Sequence, residues 1–327
     1  MKKTILISLL CMLCGSTVFS VTVQRTILSH KGKLTQYDAN HWTEAITDAV
    51  AGDTIYFTSG VFHVPSDGAA CGDLVVDKPI TLIGAGVGEA DGADRYKSIC
   101  TTGTSTTFFA NLIIAISGSP TLNSTFFEGF YLPDGAAIGV TQPVTNLVIK
   151  RCQFNGGYGG GSFAASATVT NVTLEDCSMG WFSCANLVNP DIHNCFIGTI
   201  LGEGLENLSF TNCTIGEIRD LANCTFLNCC LGSGLGINTY VHCVYSTWDT
   251  GVSTLTNCWR DENCYNMSAD QYETAGYLGN DGTVVGPLGG QAPFTLVPSR
   301  PYVSSSSIVY NKSTKKLNVN VTVKKGQ

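Results

Sequence analysis

From Asn146 onward, apolar and polar positions alternate in short blocks that repeat. The run Asn146-Leu147-Val148-Ile149-Lys150-Arg151-Cys152-Gln153-Phe154 can be laid over Asn171-Val172-Thr173-Leu174-Glu175-Asp176-Cys177-Ser178-Met179-Gly180. It can also be laid over Asn207-Leu208-Ser209-Phe210-Thr211-Asn212-Cys213-Thr214-Ile215-Gly216. Each unit has a strand with period-two alternation (Leu208, Phe210), a break, and a second short strand (Cys213, Ile215). The pattern continues through His193-Asn194-Cys195-Phe196-Ile197-Gly198 and Phe226-Leu227-Asn228-Cys229-Cys230-Leu231-Gly232. It fades through Tyr240 to Tyr245 and ends at Leu255-Thr256-Asn257-Cys258.

The recurring cysteines are 152, 177, 195, 213, 229, 243 and 258, with gaps of 25, 18, 18, 16, 14 and 15. The break before each is filled by Asn194, Asn212, Asn228 and Asn257, or by Arg151, Asp176 and His242 as imperfect substitutes. Asn tolerates the left-handed backbone better than most residues with a side chain, so a left-handed turn is predicted at this slot, with the following Cys pointing inward. Stacked about 4.8 Å apart, such amides can hydrogen-bond in a ladder.

Units this short cannot close a core alone and must stack as a solenoid. No Leu-x-x-Leu-x-Leu frame and no 3.6-residue period is present, which leaves an all-β, right-handed single-stranded parallel β-helix, its hand taken from the chirality of parallel crossovers. The first half follows the same logic less regularly: Asp53 to Phe57, Gly60 to Phe62, Leu74 to Val76, Lys78 to Gly86, Leu112 to Ile114 and Phe126 to Phe130. At roughly 20 residues per coil, residues 53–264 make about ten coils. Residues 21–52 hold an N-terminal strand and a capping helix over Trp42 to Val50. Residues 265–327 form a C-terminal cap, a Pro- and Gly-rich linker, and a β-hairpin or small module whose strands are Ser307 to Tyr310 and Leu317 to Val323.

Ala49-Val50-Ala51-Gly52-Asp53-Thr54-Ile55-Tyr56 with Gly60, and Lys78-Pro79-Ile80-Thr81-Leu82-Ile83-Gly84-Ala85-Gly86, resemble the opening coils of the pectate-lyase-like β-helix superfamily. The tail from Asp281 to Gly286, through Pro293-Phe294 to Leu317–Val321, is similar to that of secreted Bacteroidetes β-helix proteins with no assigned activity. The resemblance covers nearly all of the chain after the leader. It implies the fold and leaves function open, because this fold hosts lyases, hydrolases, adhesins and spike proteins.

The N-terminus adds an address. Lys2 and Lys3, the apolar run Ile5 to Leu13 and the exit Val18-Phe19-Ser20 predict a signal peptide over residues 1–20; a lipid anchor on Cys14 is the alternative, with Leu13 before it a poor fit. The expected location is secreted, periplasmic or cell-surface, with no membrane span. Losing both lysines makes a net charge of −7 still more negative, and with 18 Lys and Arg the chain is a poor partner for nucleic acid. Two of the 15 cysteines go with the leader, leaving an odd number that cannot all pair within one chain. Their recurrence at coil length argues for core thiols rather than disulfides or zinc. The off-repeat cysteines are Cys71, Cys100, Cys184, Cys224, Cys230 and Cys264, of which Cys71 with Cys100 is a candidate bridge.

Candidate chemistry is sparse. The Asn-Thr-Asp, Asp-Asp and Gly-His-Gly signatures of polygalacturonase-like enzymes are absent, and Arg95-Tyr96-Lys97 matches Arg-x-Lys without partners. Lys150-Arg151, Glu175-Asp176, Asp191 with His193, Glu217 with Arg219-Asp220, and Arg260-Asp261-Glu262 fall at similar phases of neighbouring coils, so a composite patch is one reading and solvated surface the other. His63, His193 and His242 are the histidines considered, with His242 read as turn filler. Tyr158, Trp181, Trp248, Trp259 and Tyr265 are aromatics in loops that can stack on sugar or pack the loops themselves. No catalytic residue, cofactor or metal ligand is assigned; Ca²⁺ enters only with a lyase reading. The favoured expectation is a non-catalytic, carbohydrate-associated or adhesive protein with a glycan or cell-surface partner. The alternatives are a lyase or hydrolase of acidic polysaccharide and a structural surface-display component.

Overall fold

The computed structural model describes residues 24–58, 60–66, 71–87, 106–118, 120–122, 126–133, 135–154, 162–184, 186–202, 205–234, 236–247, 253–296, 302–311 and 316–324. The leader, Arg95 to Lys97, Cys100, Tyr158 and Trp248 lie outside them.

The protein is nearly all β, with large parallel sheets. In a 12-stranded sheet, each strand of the repeat pairs in parallel with the strand one unit further along the chain, and an antiparallel N-terminal hairpin ends the stack. A 14-stranded sheet carries the second strand of each unit, and a three-stranded sheet forms a shorter side. The register brings equivalent residues into columns. Leu174, Ile192, Phe210, Phe226 and Tyr240 stand directly over one another, all buried. Phe210, Phe226 and Tyr240 stack with centroids 5.0 Å apart, close to the inter-strand spacing. Each ring withdrawn from water contributes about 2 kcal/mol or more.

All seven residues at the predicted break are left-handed, with φ between 50° and 55° from Arg151 to Asn257. A second left-handed column, Asn146, Asn171, Asn189, Asn207 and Asn223 (φ 49° to 61°), turns the chain into the repeat strand. Three of these asparagines, Asn146, Asn171 and Asn207, are the first residues of the aligned units, where the sequence pattern predicts no turn. Six of the seven cysteines after the first column are core residues, as the pattern predicts, and the last, Cys258, is half-buried against the core. Cys177, Cys195, Cys213, Cys229 and Cys243 are fully buried free thiols, each bonding main-chain carbonyls of its own coil and the one before. Burial pushes Cys152, Cys195 and Cys229 well above the ordinary thiol range and Cys184 up to about 12, so these thiols are protonated and unreactive at neutral pH. Cys71 donates to the Gly135 carbonyl at 3.2 Å; its suggested bridge to Cys100 falls outside the described residues.

At the N-terminal end, the expected single strand is a hairpin, Arg25–His30 with Lys33–Asp38. The expected helix spans Glu44–Asp48 and buries Ala45 and Ile46. Trp42 meets Phe57, Phe62 and Phe108 edge-on at 5.7 to 6.0 Å. Lys78 Nζ donates to the carbonyls of Ile46, Thr47 and Ala49, satisfying the helix's C-terminal end with a charge that suits its dipole.

The C-terminal segment is where the sequence was least informative. After a 3₁₀ turn, Cys264–Asn266, comes a helix, Ala269–Ala275, with a Ser268/Gln271 capping box and left-handed Gly276. The chain then runs back along the stack as a strap over the first left-handed column. Asn228 exchanges bonds with Asn280 (Nδ2 to Asn280 Oδ1 2.9 Å; Asn280 N to Asn228 Oδ1 3.0 Å), and Gly286 N donates to Asn228 O at 2.7 Å. Asn194 Nδ2 donates to Ala292 O at 2.7 Å, and Leu296 packs with Val87 and Tyr131. The expected amide ladder is not continuous along this column: Asn194 and Asn228 hold the strap and Asn257 bonds His242 at 3.1 Å, while an amide pair, Asn171 to Asn146 at 3.0 Å, occurs in the second column. Residues 302–311 and 316–324 form the expected antiparallel hairpin.

Candidate ligand-binding groove

Four consecutive strands, Ser178–Cys184, Phe196–Leu201, Thr214–Arg219 and Cys230–Ser233, build the floor and one wall of a groove. Their register places Met179, Ile197, Ile215 and Leu231 in one inward column, and Trp181, Thr199, Glu217 and Ser233 in one outward row. Between them lies a line of glycines, Gly180, Gly198, Gly216 and Gly232, three residues after each core cysteine. Gly and the next residue both face outward while Phe182, Ile200 and Ile218 return to the core, so the sheet bends along the glycine line. No side chain fits there. A Cβ on Gly198 would stand 2.6 Å from the Gly180 carbonyl oxygen, and one on Gly216 would stand 2.5 Å from that of Gly198; Gly232 meets Gly216 in the same way.

The opposite wall comes from the 3₁₀ turn. The Tyr265 hydroxyl lies 2.9 Å from where a Gly216 Cβ would be. With Ser246, these residues enclose about 560 Å³, open to solvent. Trp181 and Tyr265, two of the aromatics singled out in the sequence, thus belong to one groove. Arg219 Nη2 donates to Glu217 Oε2 at 2.8 Å.

The other candidates disperse. Lys150, Glu175 and His193 occupy one register position on the outer face of the 12-stranded sheet. Lys150 pairs with Glu175; His193 Nδ1 bonds Asp191 Oδ1 at 3.0 Å, and its Nε2 is 3.9 Å from Glu175. Burial works to raise the Glu175 carboxyl, but the Lys150 ammonium and His193 outweigh it and hold the group below its usual value. Arg151 and Asp176 are not on this face. They are buried at the turn, with the Arg151 guanidinium 3.4 Å from Glu128 and 3.6 Å from Asp176. Arg260 pairs with Glu262 at 2.9 Å, and Asp261 accepts from the Tyr277 hydroxyl at 3.0 Å. The single composite patch therefore resolves into a flat charged ladder, a buried turn and the groove. His63 is exposed on its strand, and His242 fills the turn as expected. Trp259 lies 6.3 Å from His242 and 5.7 Å from Tyr277, beside a second cavity of about 550 Å³ between the end of the turn column and Leu278 to Gly282.

Among the described residues, no three His, Cys, Asp or Glu side chains gather to hold a metal ion, and no helix is long and apolar enough to cross a membrane. The fold and groove define an all-β parallel stack with an open, aromatic-flanked trough. No known family matches this chain, and no curated protein or solved structure matches it either. The glycine line was visible in the sequence as the Gly three residues after each of Cys177, Cys195, Cys213 and Cys229, but only the position of Tyr265 reveals that it floors a trough.

Proposed function

We propose that this is an exported, right-handed parallel β-helix of about ten coils, of the pectate-lyase-like kind, that binds glycan in the groove without turning it over. The observation that carries the reading is Trp181 and Tyr265 flanking a trough of mixed polarity floored by bare backbone. Pyranose rings present apolar C–H faces to aromatic rings and hydroxyls to polar groups, and the row Thr199, Glu217 and Ser233 supplies such groups one strand apart. Right-handedness is supported by the chirality of parallel crossovers, and export by the leader pattern of residues 1–20. Hydrolysis generally uses two carboxylates, and Glu217 is the single acid among the described lining residues.

Incubating the mature protein with a polysaccharide panel separates the readings. Binding is expected with no new reducing ends and no unsaturated product. Trp181→Ala and Tyr265→Ala should each weaken it by about two- to tenfold. Product formation would overturn the non-catalytic reading, and binding indifferent to both substitutions would remove the groove as its seat.

A further inference from the structure

The groove has a charge as well as a shape. Glu217 stands third in the row Trp181, Thr199, Glu217, Ser233, its side chain 30% exposed and set against the glycine floor. None of the described lining residues is basic. Arg219, the partner of Glu217, is outside the lining and donates Nη2 to its Oε2 at 2.8 Å. A ligand carboxylate laid along this row would therefore meet a like charge in a partly desolvated trough, on a chain of net charge −7. An uncharged sugar meets the opposite situation. Its hydroxyls can donate to the Glu217 carboxylate and exchange bonds with the Thr199 and Ser233 hydroxyls, which are acceptors and donors alike.

We infer that Glu217 makes the groove selective for uncharged glycans over uronic-acid glycans. This rests on the glycan-binding reading above and adds to it the class of ligand. The selection is electrostatic, so it weakens with salt, and it depends on one side chain while the aromatics supply the common affinity.

The test uses matched tetrasaccharides: β-1,4-glucose, β-1,4-mannose and α-1,4-galactose oligomers, each beside its C6-oxidised uronate form. Titrated against the mature full-length chain at low salt, a neutral member that binds should exceed its uronate partner by roughly tenfold. Glu217→Gln should narrow that ratio, Arg219→Gln should widen it, and 0.5 M salt should narrow it in the parent protein. A uronate that binds as tightly as its neutral partner, or a ratio unmoved by Glu217→Gln, overturns the inference while Trp181-dependent binding keeps the glycan reading. A panel in which no member binds overturns both.

Discussion

Asp176 shows how a position chosen for its backbone can carry a cost in its side chain. It occupies the left-handed slot between Arg151 and Asn194, at φ 55°. Its carboxyl is buried, with Oδ1 unpartnered among the described groups. Burial pushes it up to about 7, and neither the Arg151 charge nor a backbone hydrogen bond from Thr295 reverses that. Between the ordinary carboxylate value and about 7 the native state binds a proton that the unfolded chain does not. Stability from this group is therefore greatest near pH 4 and is lost as pH rises toward 7, by at most about 1.4 kcal/mol per pH unit. Asp176→Asn keeps the turn preference and removes the titration. Its melting temperature should exceed the parent's at pH 7, and the two should converge near pH 4. Parallel pH profiles for the two proteins would refute the assignment.

Among the elements, the repeat strands were the most legible and the groove the least. A left-handed turn penalises most side chains, so the asparagines at 194, 212, 228 and 257 mark it in the sequence, and the cysteine after each follows from the alternation. Glycine is a less specific sign, because Gly180 and its counterparts would read the same in any tight bend. Tyr265 and Trp181 are far apart in sequence and line one groove only because the 3₁₀ turn after the last coil lies against the glycine line, outside any repeat. The helix Ala269–Ala275 did leave a signature, Ser268-x-x-Gln271 with Gly276, but buries only Tyr272 and so has no apolar period to announce it. The glycine line makes a sharp prediction. Gly216→Ala must displace backbone at Gly198 and crowd Tyr265, so it should lower the melting temperature and abolish groove binding. A variant as stable as the parent would mean that the coils yield easily there.

For the molecule as a whole, the strap decides which surface is inside. It covers an outward row of the 14-stranded sheet that includes Phe196, Cys230 and Val244, with Tyr272 and Val285 packed on the last two and Phe294 edge-on to Phe196 at 4.9 Å. Cys230 is thus buried by the strap, whereas its neighbour Cys229 is buried by the core. In a chain ending at Asn263, which also lacks Cys264, Cys230 should react with a thiol reagent under native conditions while Cys229 does not. The paired substitution Asn194→Ala with Asn228→Ala, which removes two of the side-chain hooks, should show the same selectivity if the truncated chain fails to fold. Equal protection of both thiols in the unhooked protein would show that the strap holds without them.

The strap also alters how such a stack comes apart. When each coil touches only its neighbours, the ends fray one unit at a time, and stability accumulates nearly linearly with length. Here Asn194 is tied to a residue 98 positions later, and Asn228 to one 52 positions later. Coils that would melt in succession are stitched by one thread, which pushes unfolding toward all-or-none behaviour. The same long-range closures raise contact order and slow folding, because long loops must close before their contacts are gained.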